Sequence, residues 1–180
     1  RLTLVMAPAG YGKSSLLSQW ATARREPVAW VTVDPVDNDP GRFLRSLVVS
    51  WGLAVPSVRE SAAYLLVSGM NPDPDDVIEA LLEIESGIAF VLDDAHLIVD
   101  DDLRTTLATL VERLPPRMRV VLAGRSLPFL PVARYRARGE LAEFHASDLR
   151  FSLGETRAFL VGDKGLQVDH DSIARLDARL

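Results

Sequence analysis

"MAPAGYGKSSL", residues 6–16, decides how the rest of the chain is read. It follows the phosphate-binding pattern G-x-x-x-x-G-K-[ST] at Gly12, Lys13 and Ser14, but Ala7 stands where the first glycine belongs. The apolar run "LTLVMA" (2–7) before it predicts a buried strand. The residues after it predict a helix near 13–25, with Leu16, Leu17, Trp20 and Ala21 on one face. Strand, loop and helix in that order are the context this motif requires. Gly10 and Gly12 let backbone N–H groups turn inward around a phosphate, and the helix N-terminus adds its positive end. Ala9, Gly10, Tyr11, Gly12, Lys13, Ser14 and Ser15 are therefore expected to hold a nucleotide. Lys13 would reach the β- and γ-phosphates and Ser14 would place its hydroxyl on Mg²⁺. The competing reading is an ordinary strand–helix turn containing glycines. At Ala7 the backbone angle decides: a methyl costs little where φ is negative, and about 1 kcal/mol or more where it is positive.

Four further apolar segments follow. "VAWVTV" (28–33), "IAFVL" (88–92) and "RVVLAG" (119–124) read as buried strands, and "LAEFH" (141–145) as a fifth. Between them lie helices with recognisable starts. Asp39 caps a helix that has Pro40 at its first position, and Asp73 with Pro74 repeats the device, with Gly87 as the stop. "DDDLRTTLATLVERLPP" carries Leu103, Leu107, Leu110, Val111 and Leu114 on one face and ends at Pro115. A short helix is expected near 130–138. "SLGE" (152–155) is a capping box opening a helix over 153–161. Fully apolar strands alternating with one-faced helices predict an α/β fold: a mostly parallel five-stranded sheet with helices on both faces. In such sheets ligands bind at the carboxyl ends of strands.

The chemically informative residues sit at those ends. "IAFVLDDAHLI" runs from a strand into Asp93 and Asp94, the arrangement of a Walker B acid pair. Asp93 would hold Mg²⁺ with Ser14, and Asp94 would orient or deprotonate the attacking water. Helix-capping acids are the bland alternative. "VVLAGRS" delivers Arg125, which would contact the γ-phosphate as sensor or charge stabiliser, or be one surface arginine among many. His96 either senses the γ-phosphate or hydrogen-bonds within its loop. Asp34, Asp37 and Asn38 either approach the nucleotide or a neighbouring domain, or shape their own loop. Arg134 and Arg138, one helical turn apart, line a solvated face or a docking patch.

The bulk composition sets the outer limits. A net charge of −5 argues against nucleic-acid binding by this segment alone. Without cysteine there is no disulfide or thiolate metal site, and the cytoplasm is the expected compartment. No apolar run approaches the roughly 18 residues of a membrane helix. His96, His145 and His170 are too scattered to suggest a metal site beyond the nucleotide's Mg²⁺. The only lysines among the 20 basic residues are Lys13 and Lys164, so retention of lysine at position 13 runs against the composition. Beginning at Arg1 and ending at Leu180 inside a helical pattern, the sequence is expected to be a piece of a longer chain.

"APAGYGKSSLLSQW", "VAWVTVDPVDNDPGRFLRSL", "FVLDDAHLI", "VVLAGRSLPFLPVARYRARGELAEF" and "DLRFSLGETRAFL" occur in the order seen in a known family. Together they resemble the ATPase domain of the large, MalT-like, ATP-dependent LuxR-type bacterial transcriptional regulators, which belong to the STAND class of P-loop ATPases. The resemblance implies phosphate-loop roles for Gly10, Gly12, Lys13 and Ser14, Walker B roles for Asp93 and Asp94, and a sensor role for Arg125. Alanine at the first loop position looks tolerated there. It also implies an ATPase core over residues 1–146 and, over 147–180, the truncated start of a helical, winged-helix connecting module. A helical-repeat sensor for an inducer and a LuxR-type DNA-binding domain would lie outside these residues. The implied mechanism is a slow ATPase switch: ATP promotes a self-associating active state and ADP an inactive one, with no membrane partner. Two other readings compete. One is an AAA-type motor or loader using Arg134, Arg136 or Arg138 as an arginine finger. The other is a non-hydrolysing module with ATP as a structural ligand. A small-molecule kinase is weaker, because no lid motif is identifiable.

Overall fold

A computed structural model of the chain describes residues 2–56, 59–67, 72–82, 87–127, 129–163, 165–169, 172–173 and 175, with side chains at all of these except 61, 65, 67 and 163. Lys164, His170 and the C-terminal helical pattern lie outside the described residues, as does the end of the helix opened by Pro74. The chain divides into two compact units, Arg1–Ala146 and Ser147–Leu180.

The first unit is built on five strands: β1 (Leu2–Met6), β2 (Val28–Thr32), β3 (Ala89–Asp93), β4 (Arg119–Gly124) and β5 (Leu141–His145). All pairings are parallel and the order across the sheet is β2-β3-β4-β1-β5. Among the described residues six helices accompany them: α1 (Lys13–Thr22), α2 (Pro40–Ala54), α3 (Arg59–Val67), α4 (Pro74–Leu82), α5 (Asp101–Arg113) and α6 (Val132–Ala137). The alternation of strand side chains divides the buried residues into two sets. Leu2, Leu4, Val31, Phe90, Leu92, Val120 and Leu122 join Phe43, Leu47, Trp51, Leu81, Leu103 and Leu107 of α2, α4 and α5 in one large cluster. The intervening Val5, Ala89, Val91, Val121 and Ala123 are also buried, outside that cluster, as is Leu17 of α1. Strands buried on both faces explain why these segments read as continuous apolar runs.

Asp39 caps its helix as expected. The Asp39 carboxylate accepts the Arg42 N–H at 2.7 Å, with Pro40 at the first helical position. Asp100 caps α5 through the Leu103 N–H at 2.8 Å. Two features differ from expectation. Helix α3 lies where the sequence suggested none, and α1 is turned so that Leu16 is 41 % exposed. The buried residues of α1 are Lys13 and Leu17, one turn apart on the face shared by i and i+4. An ammonium-bearing side chain occupies the inward stripe, so a hydrophobicity pattern alone selects the wrong neighbours for Leu17.

The short helix α7 covers Ala146–Leu149; within the second unit, Ser152 and Glu155 form the capping box of α8 (Leu153–Arg157). The Ser152 N–H donates to Glu155 Oε2 at 2.8 Å. The helix expected over 153–161 is α-helical only to Arg157 and continues as a π-helical turn, Ala158–Asp163. Phe151 and Phe159 bring their rings to 6.0 Å.

Candidate nucleotide site

Strand register brings the candidate residues to one edge. Met6 of β1 pairs with Gly124 of β4 and His145 of β5, and Thr32 of β2 pairs with Asp93 of β3. The loop 7–14, the acid pair Asp93-Asp94 and Arg125 thus leave the sheet at the carboxyl ends of β1, β3 and β4. β4 lies between β1 and β3, so the strand directly beside the phosphate loop is the one that leads to Arg125. The acid-bearing strand is one position further away. Phe90 and Leu92 face the large cluster, so Asp93 continues the opposite series of Ala89 and Val91.

Ala7 has an ordinary backbone angle, because the only described non-glycine residue with positive φ is Asp94. Its N–H donates to the Gly124 carbonyl at 3.2 Å, and its methyl is 2 % exposed. The first motif position is here a strand-like joint that accommodates a side chain. Ala7→Gly should therefore lower stability by about 1 kcal/mol, through lost methyl burial and added backbone freedom, with ATP affinity unchanged. Thermal melting and a nucleotide titration check both parts, and a gain in affinity would show that glycine is needed there.

Gly10 (φ 85°) and Gly12 (φ 73°) are the positions that require glycine. A Cβ at either would meet open space, so the restriction is backbone strain rather than crowding. Gly12 is also the N-cap of α1. No side chain caps this helix and no acid lies in its first turn, so its N-terminal N–H groups remain available to an anion. Lys13 is buried, and its ammonium donates to the carbonyls of Ala7 at 2.8 Å and Pro8 at 3.0 Å. Two of its three N–H donors therefore close the loop on itself, leaving one for a phosphate oxygen. Ala9, Tyr11, Ser14 and Ser15 are partly or largely exposed.

Asp93 is buried, and its Oδ1 accepts the Asp94 N–H at 2.9 Å. Asp94 adopts left-handed angles, φ 54° and ψ 30°, at the head of a 3-10 turn, Ala95–Leu97. His96 in that turn has Nδ1 3.7 Å from Asp94 Oδ1. Burial disfavours the charged imidazolium, and Arg125 and Lys13 add to this against the opposing pull of Asp94 and Asp93, so the His96 pKa falls below its usual value. The imidazole thus feels all four candidate groups of the site. Arg125 itself is exposed just beyond Gly124.

The acidic loop after β2 is occupied by structural bonds. Asp34 and Asp37 form a capping box around the 3-10 turn Pro35–Asp37, and Asp37 also lies 3.4 Å from Arg42. The Asn38 amide donates to the Leu97 carbonyl at 2.8 Å, and its oxygen accepts the N–H groups of Val99 and Asp100 at 2.7 and 3.1 Å. Asn38 therefore stitches the loop after β2 to the loop after β3, about 60 residues on in sequence. Such a role leaves no local sequence signal. Of the arginine-finger candidates, Arg134 pairs with Glu112 and Arg136 forms a two-pronged contact with Glu143 at 2.8–3.1 Å. An open cleft of about 660 Å³ lies elsewhere, along edge strand β2 and α2, bordered by Trp30, Arg42, Val49 and Leu53. Phosphate loops bind by wrapping backbone amides around the ligand, so cavity size is a poor guide to this site.

Ser14 offers a hydroxyl and Asp93 a carboxylate, the donor types of a Mg²⁺ site that takes few protein ligands and completes its shell with phosphate and water. Among the described residues, no cluster of three or more His, Cys, Asp or Glu could hold a metal by itself. None of the described helices is long and apolar enough to cross a membrane.

No protein-family model matches the chain. It is 31% identical over 166 residues to the HTH-type transcriptional regulator MalT of Yersinia enterocolitica, a match covering 88% of this chain and 18% of that protein. It is 32% identical over 183 residues to the serine/threonine-protein kinase PknK of Mycobacterium tuberculosis, covering 98% of this chain and 16% of PknK. The chain thus spans less than a fifth of the length of these relatives. Among solved structures, it superposes on Drosophila ORC bound to DNA with a TM-score of 0.54 at 11% identity, covering 99% of this chain and 44% of the other. Aeropyrum pernix ORC1 in complex with DNA gives 0.53 at 16% identity, covering 91% and 43%. At such identities these neighbours establish the P-loop ATPase fold and nothing further.

Proposed function

We propose, from the premise that the chain is a homologue of MalT and PknK built on the P-loop ATPase fold, that it is the ATP-binding switch domain of a bacterial regulator. The observation that carries this reading is the convergence at one sheet edge. A loop with two left-handed glycines and a buried lysine, a buried acid followed by a second acid, and an arginine all leave neighbouring strands there. The two relatives have differently named outputs, a helix-turn-helix regulator and a kinase, yet both match nearly all of this chain. A segment common to both is better suited to control than to output. DNA binding and inducer sensing are accordingly assigned to parts outside these residues.

In this reading the amides of residues 9–15 and the Lys13 ammonium bind the phosphates of ATP. Mg²⁺ held by Ser14 and Asp93 supplies positive charge against the phosphate oxygens. Asp94, half-exposed beside the site, orients the attacking water and accepts its proton. Arg125 contacts the terminal phosphate and so distinguishes ATP from ADP. A switch needs nothing more than a difference in affinity of the two nucleotides for the two states. Slow turnover then serves as a timer that returns the ATP-promoted, self-associating state to the ADP state. Residues 1–146 form the ATPase core, and 147–180 begin a winged-helix connecting module. The experiment is Arg125→Ala. The ratio of ADP to ATP dissociation constants should fall about tenfold or more toward unity, as expected for loss of one charge-assisted contact. Equal losses for both nucleotides, or no loss, would remove the sensor role.

A further inference from the structure

β2 ends the sheet on one side, and half of its backbone faces outward. The Pro27 carbonyl accepts the Ala89 N–H at 3.0 Å, and the Val33 N–H donates to the Asp93 carbonyl at 2.9 Å. Odd-numbered residues therefore bond to β3, and the N–H and C=O groups of Val28, Trp30 and Thr32 point away from the sheet. Natural edge strands are commonly blunted by charge, by proline or by a covering element. The opposite edge strand, β5, carries Glu143, held by Arg136, and ends at His145. β2, "VAWVT", has neither charge nor proline.

Beside this edge lies the cleft of about 660 Å³, walled by one face of α2. Arg42, Arg45, Ser46, Val49 and Leu53 line it, at the i, i+3, i+4, i+7 and i+11 spacing of a single helix face. The other face of α2 gives Phe43, Leu47 and Trp51 to the core. A helix that is apolar on both sides ordinarily has both sides covered, yet Leu53 is 73 % exposed. Charge in the cleft is one-sided. Its only acid is Asp37, whose side chain is 11 % exposed and accepts the Asp34 N–H at 2.9 Å. The Arg42 Nε faces that acid at 3.4 Å, while the Arg42 side chain stays 60 % exposed and keeps its terminal nitrogens for a second carboxylate. An arginine-rimmed cleft on a chain of net charge −5 favours an acidic occupant. Two copies pairing antiparallel through β2 would bring both α2 helices to the same side of the joined sheet, so two sets of arginines would meet no exposed acid of the cleft.

We propose that the β2 edge is a docking site for an acidic, extended peptide segment of a partner protein. The segment adds as a sixth strand. Its main chain bonds to Val28, Trp30 and Thr32, its apolar side chains meet Val49 and Leu53, and a carboxylate reaches Arg42. The main chain supplies affinity, and the arginine with the apolar wall supplies selectivity. β2 is three strands away from β1 and its phosphate loop, so this site stands independently of the nucleotide reading.

The test pans the whole chain against a display library of random octapeptides, then measures the enriched peptide, labelled with fluorescein, by anisotropy. Enriched sequences should alternate apolar residues and carry Asp or Glu toward one end. N-methylation of one alternate set of peptide amides should abolish binding and methylation of the other set should spare it, because a strand turns only every second N–H to its neighbour. Arg42→Glu should weaken binding about tenfold or more, and exchanging the peptide's acid for lysine should restore affinity for that variant. Leu53→Asp, at an exposed position, should also weaken binding while the melting temperature stays as in wild type. An absence of enriched peptides, equal effects of the two methylation sets, or a failed charge exchange would overturn the proposal. Sedimentation of the unliganded chain tests the other occupant. A dimer that is lost in Thr32→Pro, which removes an outward N–H and leaves the β3 ladder intact, would assign the edge to a second copy and overturn the proposal as well.

Discussion

Lys13→Ala should raise the dissociation constant for Mg–ATP by about 100-fold, which corresponds to about 3 kcal/mol. The side chain is buried, so truncation removes a charge-assisted contact with the phosphates in a poorly hydrated place. It also deletes the hydrogen bonds to the carbonyls of Ala7 and Pro8 that hold the loop in its curve. Two consequences can be separated. The nucleotide-free variant should melt at a lower temperature than wild type, because two acceptors lose their donor. Affinity for ADP should fall along with that for ATP, because the loop embraces both. Displacement of a fluorescent nucleotide measures each affinity. An ATP affinity within twofold of wild type would remove the phosphate-loop assignment, whatever happens to stability.

Asp94→Asn should abolish turnover while sparing binding. The amide matches the carboxylate in shape but cannot accept a proton, so the expected loss in kcat is about 10² to 10⁴. The backbone supports this variant unusually well. Asparagine, like aspartate, tolerates the left-handed region better than most residues, and the ties to Asp93 and Leu97 involve only the backbone of position 94. The melting temperature should therefore hardly change, and the dissociation constant for Mg–ATP should stay within a few-fold. Single-turnover hydrolysis with a phosphate sensor is the appropriate assay for a slow switch. A variant as active as wild type would exclude Asp94 as base. A variant that fails to bind would show that its charge is needed for the nucleotide rather than for the water.

Much of this site is legible in the sequence, for identifiable reasons. β1, β3 and β4 are short apolar runs because both of their faces are largely buried, and the last two end at Asp93 and just before Arg125. Asp39 with Pro40 marks a helix start by chemistry that acts within four residues, and "SLGE" does the same. Other features depend on distant parts of the chain. The placement of β4 between β1 and β3 is a matter of crossover topology, which apolar patterning does not encode. Asn38 looks like one more polar loop residue until its partners at 97–100 are folded against it. Helix α3 leaves little trace in the sequence, because "RESAAYLLV" has little one-sided pattern and leaves Tyr64 facing solvent.

Two residues changed meaning once the backbone was known. Ala7, the apparent defect in the motif, occupies a joint with ordinary angles and a buried methyl, while the glycine requirement falls on Gly10 and Gly12. His96, ambiguous as a letter in "DDAHLI", packs against the end of β4 with its Nδ1 3.7 Å from Asp94 Oδ1. Sequence supplies residue types and spacing; which strand end a side chain packs against is a property of the packed state.

The central claim is that the loop 7–14 and the ends of β3 and β4 form one nucleotide site. Calorimetric titration of the wild-type chain with Mg–ATP tests it most directly. Saturable binding of one nucleotide per chain, displaced by ADP with a different affinity, is the expected result. A flat titration at millimolar Mg–ATP, with the protein folded by circular dichroism, would contradict it.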